Sequence, residues 1–215
     1  MIDSSPMYGT SEAVIGDLLT KAPRRQRLFA ATKVWTYGKS AGERQMESSR
    51  RLWGVPKFDL IHVHNMLDWE AHLETLQAWK AAGRVRYVGI TTSHGRRHDE
   101  MERALTRAKF DFVQFTYSLY DRDAEKRLLP LAAERRIAVV ANRAFDGGAM
   151  FEATKGRQVS PWALDVDCAT PIAADVPVVE ADPAALDEGA ALALVTEAEV
   201  LERQQHGDGE RVVET

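Results

Sequence analysis

The chain has 215 residues, 45% hydrophobic and 28% charged, with a formal net charge of -4. This is the mix of a globular domain with enough length to bury its own core, and it lacks the ~18-residue apolar run that a membrane-spanning helix needs. The single Cys168 excludes an internal disulfide framework and a cysteine-built zinc site. The negative charge argues against nucleic acid as a partner, and with no visible signal peptide a cytoplasmic location is expected.

The charge is unevenly spread. Residues 1–170 hold 26 basic and 21 acidic residues, a balance of +5, whereas 171–215 hold 2 basic and 11 acidic, a balance of -9. Every Trp, Tyr and Phe precedes residue 171. The chain is therefore expected to divide into a body, 1–170, and an acidic, alanine-rich tail, 171–215.

In chain order, a strand stub at 1–3 comes before a helix capped by Ser11, with Val14, Ile15, Leu18 and Leu19 on one face and Pro23 at its end. The apolar run 28–34 predicts a buried strand stopping at Trp35. A polar helix with Met46 and Leu52 follows, then a strand over 58–63. Asp68 is positioned to cap a helix bearing Trp69, Leu73, Leu76 and Trp79, with Gly83 as its left-handed terminator. Strands at 85–90, 110–115 and 137–141 alternate with helices at 96–108 and 123–135.

Strands recurring every 25 to 30 residues with helices between them imply right-handed βαβ units and a parallel sheet. Periodicity fits an open doubly wound sheet or part of a (β/α)₈ barrel. No GxGxxG or P-loop follows a strand, which counts against a nucleotide-binding open sheet.

In both architectures reactive groups gather at the carboxyl ends of strands. Those positions hold Asp3, Tyr8 in the next loop, Lys33, His64, Thr91, Thr92, Gln114, Asn142 and Arg143. A Tyr with a Lys, an Asp and a His suits proton transfer to a carbonyl oxygen. The phenol titrates near 10 unperturbed, and a neighbouring ammonium brings it toward the working range. His62 and His64, two apart on one strand, also have metal-ligand spacing, but Asp3 is the one carboxylate well placed to join them, so no metal site is expected.

These residues carry a family resemblance. The run through Asp3, Tyr8, Gly9, Glu12 and Gly16 resembles the signature of the aldo/keto reductases, in which Asp and Tyr belong to a catalytic tetrad. The segments around Lys33 and around Asp59 to Asn65 resemble those of the tetrad lysine and histidine, and the alignment selects His64 over His62. Gly89, Thr91 and Thr92 resemble the stretch that contacts the nicotinamide carboxamide. Gln114 matches a residue holding the same amide, and Asn142 and Arg143 fall in the loop that packs on the cofactor.

The resemblance implies an incomplete (β/α)₈ barrel of about strands 2 to 7. It implies NADPH-dependent reduction of an aldehyde or ketone, with Tyr8 donating the proton, Lys33 and Asp3 tuning it and His64 orienting a small-molecule carbonyl substrate. Trp35 is a candidate wall of the substrate pocket. Some members of the family serve as cofactor-sensing subunits of potassium channels, so a regulatory module and a non-functional remnant are the alternatives.

By this reading the likeness runs to about residue 169, with the first βα unit and the last strand and helix missing. Exposed strand edges and a weak grip on NADPH would follow, and a shifted reading frame would account for the tail. Asp182 and Pro183 are expected to open a helix reaching about Gln205, with Leu194, Val195, Ala198 and Leu201 on one side.

Overall fold

The computed structural model describes residues 1–22, 28–157 and 192–194. The strands are β1 (Ile2–Asp3), β2 (Ala30–Val34), β3 (Phe58–Val63), β4 (Val85–Thr91), β5 (Phe112–Thr116), β6 (Ala138–Asn142) and β7 (Leu192–Leu194). Between them lie α1 (Ser11–Lys21), α2 (Lys39–Trp53), α3 (Trp69–Ala81), α4 (His98–Arg107), α5 (Leu128–Arg135) and α6 (Ala149–Thr154).

All six strand pairings are parallel, and the strands lie side by side in chain order, β1 to β7. That order settles the architecture. A doubly wound sheet reverses its strand order at a switch point and carries helices on both faces. Consecutive right-handed crossovers without reversal put every helix on one face, so the other must bury itself by curling.

The curl is measurable. Asp3 on β1 and Gln114 on β5 are four ladder steps apart, about 19 Å in a flat sheet, yet Gln114 Nε2 donates to Asp3 Oδ2 at 3.0 Å. The chain forms an incomplete (β/α)₈ barrel.

Alternation along the strands divides the core in two. Val34, Ile61, Val63, Val88, Ile90, Val113 and Phe115 face outward against Met46, Trp53, Leu76, Met101 and Leu105 of the helices. Ala31, Leu60, Phe112 and Val140 face inward, packed with Phe29, Tyr87 and Ala138. Tyr87 meets Phe112 edge-on at 5.4 Å and Phe29 at 6.1 Å, and these rings floor the barrel. Above the floor the inner wall turns polar.

Several local expectations are corrected. On α1 the structure buries Glu12, Gly16 and Leu19 and leaves Val14 and Leu18 exposed. Gly16 decides this, because a Cβ there would lie 1.9 Å from the Leu52 carbonyl oxygen of α2, so only glycine allows the two helices to touch on that face. Leu52 is likewise exposed.

Thr10, not Ser11, occupies the N-cap of α1, and Ser11 Oγ pairs with Ser4 Oγ at 2.7 Å. Asp68 takes the N-cap position of α3 as expected, but its carboxylate makes no cap hydrogen bond; its Oδ2 accepts instead from the Gly38 N–H at 2.7 Å. The helix expected over 123–135 divides into a 3₁₀ turn, Asp123–Lys126, and α5. Pro130 forces the division, since its ring clashes with the carbonyl a turn earlier and is tolerated only in a first turn.

The largest correction concerns the tail. Residues 192–194, expected within a helix, form β7, with Leu192, Ala193 and Leu194 registered against Val139, Val140 and Ala141 of β6. The edge of β6 is thus paired rather than open. A short apolar run is ambiguous between helix and strand when read alone, and an adjacent parallel edge with unpaired backbone groups resolves it toward strand. The rest of the expected tail helix lies outside the described residues. No helix among the described residues is long and apolar enough to cross a membrane.

Candidate active site

The polar inner layer is built by register. Lys33 on β2 stands beside His62 on β3, which stands beside Gly89 on β4. Lys33 is fully buried, and its Nζ donates to Asp3 Oδ2 at 2.6 Å and to the Ser4 carbonyl at 3.2 Å. Asp3 reaches this point because β1 pairs with β2 through Asp3 and Ala31. A buried ion pair needs further hydrogen bonds to offset the loss of water, and Gln114 supplies one to the carboxylate.

Tyr8 follows in a turn whose backbone closes from Tyr8 N–H to the Ser5 carbonyl at 2.9 Å. The turn leaves the phenol ring half-buried, with the Lys33 ammonium 4.8 Å from its centroid. His64 lies just past β3, and its ring meets Tyr8 edge-on at 5.7 Å. Asp3, Tyr8, Lys33 and His64 are therefore together at one mouth, as expected from the strand ends.

Trp35 joins them, 6.5 Å from His64 between ring centroids and 41% exposed. Gln45 of α2 clamps its backbone, accepting from the Trp35 N–H at 2.6 Å and donating to its carbonyl at 3.0 Å.

Burial pushes the His64 imidazole down to about 3, with the Lys33 charge adding to the effect. His64 is thus neutral near pH 7. Ser5 Oγ lies 2.9 Å from His64 Nδ1. The next residue, Asn65, is held by its N–H on Thr91 Oγ1 at 3.0 Å and by Arg97, whose Nη1 donates to the Asn65 carbonyl.

The residues expected at the cofactor divide by what their side chains already do. Thr91 holds the turn bearing His64, as above. Thr92 Oγ1 donates to the Arg96 carbonyl at 2.8 Å. Asn142 spends both ends of its amide, donating to the Thr92 carbonyl and accepting from Thr116 Oγ1, each at 2.8 Å. It ties β4, β5 and β6 together. Gln114 is fully buried with Nε2 on Asp3 and Oε1 unpartnered. Arg143 is half-buried with positive φ, its Nη1 2.8 Å from His94 Nε2.

Three contributors escape sequence reading. Ser5 looks like an ordinary turn residue before Pro6, and Arg97 looks like surface charge. His62 offers the sequence only metal-ligand spacing with His64. It is fully buried with both ring nitrogens unpartnered, and burial pushes it down to about 3, with Asp3 opposing the shift and Lys33 adding to it. Among the described residues no group of three or more His, Cys, Asp or Glu is arranged to hold a metal ion.

The model of the aldo/keto reductase family matches residues 1–197. The chain belongs to this family. The match extends well past residue 169, the limit expected from the sequence, and takes in β7. The chain is 26% identical to the pyridoxal 4-dehydrogenase of Microbacterium luteolum, covering 75% of this chain and 61% of the relative. It is 27% identical to the NADH-specific methylglyoxal reductase of Escherichia coli (strain K12), covering 65% and 50%.

The chain thus spans half to three fifths of the length of these curated aldo/keto reductases. The crystal structure of MGS-M4, an aldo-keto reductase enzyme from a Medee basin deep-sea metagenome library, superposes with a TM-score of 0.67. It is 14% identical, with 99% of this chain and 77% of that one covered, a likeness of fold alone.

Proposed function

We propose that this aldo/keto reductase chain carries a site for NADPH-dependent reduction of an aldehyde or ketone to an alcohol, with Tyr8 as the proton donor. One observation carries the reading. Four residues from β1, the loop after it, β2 and the end of β3 converge so that the buried Lys33 ammonium bonds Asp3 and sits against the Tyr8 ring, beside a neutral His64.

The ammonium stabilises the phenolate left when Tyr8 gives its proton to the carbonyl oxygen, which favours the transfer. Asp3 holds the ammonium in place. His64, uncharged, offers a hydrogen bond to the carbonyl oxygen and aligns it without competing as an acid. Trp35, with its backbone clamped by Gln45, walls the substrate on the open side.

The chemistry of the wall suits a nicotinamide. Gln114 Oε1 is a buried acceptor without a partner, matched to a carboxamide N–H, and Arg143 adds positive charge at the rim. NADPH, when bound, supplies the hydride. Thr92 and Asn142 would contribute by bracing the strand ends, since their side chains are already engaged. A cytoplasmic location accords with this reading.

The test is reduction of 4-nitrobenzaldehyde by NADPH with the purified full chain, Tyr8→Phe serving as control, alongside NADPH titration by fluorescence. Turnover abolished by Tyr8→Phe supports the proposal. Binding of NADPH without turnover points instead to the cofactor-sensing role, and turnover unchanged in Tyr8→Phe refutes the assignment of Tyr8.

A further inference from the structure

Ser5 touches two of the converging residues at once. Its carbonyl accepts the Tyr8 N–H at 2.9 Å, and its hydroxyl lies 2.9 Å from His64 Nδ1. The residue is fully buried, so its hydroxyl has no recourse to bulk water. The same Oγ accepts the Met7 N–H at 3.2 Å. Pro6, between them, fixes its own φ and has no N–H to compete for the hydroxyl.

A neutral imidazole carries one proton, on Nδ1 or on Nε2, and the bond made by one nitrogen decides the other. A serine hydroxyl has one proton and two lone pairs. The Met7 N–H takes a lone pair, and the Ser5 proton still needs an acceptor. His64 Nδ1 is the acceptor in reach. Were Nδ1 protonated instead, the Ser5 proton would be buried without that partner, a costly arrangement.

We propose that Ser5 is a positioning residue that holds His64 as its Nε2–H tautomer, so that the ring presents a donor rather than a lone pair at the barrel mouth. The consequence for catalysis rests on the carbonyl-reductase reading above, since a carbonyl oxygen is an acceptor and an Nε2 lone pair would repel it. The tautomer itself does not rest on that reading. The Ser5 carbonyl anchors Tyr8 in the same turn, so one residue sets the donor atoms of both partners of the carbonyl.

The experiment is long-range ¹H–¹⁵N correlation on the full chain labelled at histidine, near neutral pH, with His64→Phe assigning the signal by its loss. The wild type is expected to show Nε2 protonated and Nδ1 bare. Ser5→Ala is expected to lose this preference, giving a mixed or reversed tautomer, and Ser5→Thr, which keeps the hydroxyl, is expected to retain it. A protonated Nδ1 in the wild type, or a Ser5→Ala spectrum identical to the wild type, overturns the proposal.

Steady-state kinetics give the second arm. Ser5→Ala is expected to lower kcat/KM about tenfold, the effect of one hydrogen bond, with Ser5→Thr recovering most of it. Unchanged kcat/KM in Ser5→Ala overturns the catalytic consequence. If the wild type shows no carbonyl turnover, the reductase reading fails while the spectrum still decides the role of Ser5.

Discussion

Lowering the pH from about 7.5 to about 5 should destabilise this fold mainly through two histidines, His62 and His64. Both are buried, and burial pushes each from 6.5 down to about 3. Between those values the unfolded chain takes up a proton at each ring and the folded chain does not. Stability is therefore complete above 6.5, falls as the pH drops through 6.5 and stops falling only below 3. At pH 5 each ring accounts for about 2 kcal/mol, from 1.4 kcal/mol per pH unit over about 1.5 units.

The pair together costs about 4 kcal/mol, against a total of about 5 to 15 for ordinary domains. Ordinary carboxylates titrate mostly below this window. The assay is urea unfolding at the two pH values on the wild type, His62→Leu and His64→Phe. Each single substitution should remove about half of the pH-dependent loss. His62→Leu should cost little at the upper pH, because it replaces a ring with two unpartnered nitrogens by an apolar side chain. Equal stability at both pH values, or a full loss retained in His62→Leu, would refute the reasoning.

Gly89→Ala should destabilise by about 2–4 kcal/mol, because its Cβ would lie 2.3 Å from His62 Nδ1 and 3.0 Å from the Phe112 carbonyl oxygen; thermal melts of the single variant and of one adding His62→Ala should show partial rescue. Glu12→Ala should cost about 3 kcal/mol or more, since the Glu12 carboxylate accepts from Thr32 Oγ1, Ser49 Oγ and Trp53 Nε1 and its loss leaves three buried donors unpaired. Chemical unfolding measures that, and a cost under about 1 kcal/mol would refute it. Lys33→Met should abolish aldehyde turnover and cost about 3–5 kcal/mol by stranding the buried Asp3 charge. Adding Asp3→Asn should restore stability but not turnover, and recovered turnover would count against the role of Lys33.

The strand and helix sequence was largely legible because apolar spacing reports which face of an element is buried. The run 58–63 matches β3 to the residue. The faces of α1 were misread because hydrophobic spacing ignores what approaches from outside. Gly16 admits the α2 backbone, and Glu12 is buried because three donors from β2 and α2 converge on it. Neither cause lies within α1. Residues 192–194 were misread for the same reason, as an edge on β6 decides their conformation.

The line of residues at the strand ends, Asp3, Tyr8, Lys33 and His64, followed from the chain alone, because a parallel βαβ repeat brings successive carboxyl ends to one side whatever else happens. Two matters needed the folded chain. Curling, which strand periodicity leaves open, came from the unreversed strand order, and it alone brings Gln114 of β5 onto Asp3 of β1. The state of His64 came from burial and from Ser5, 59 residues away, since solvent exclusion and hydrogen-bond partners are properties of three-dimensional neighbours and leave no mark on local sequence.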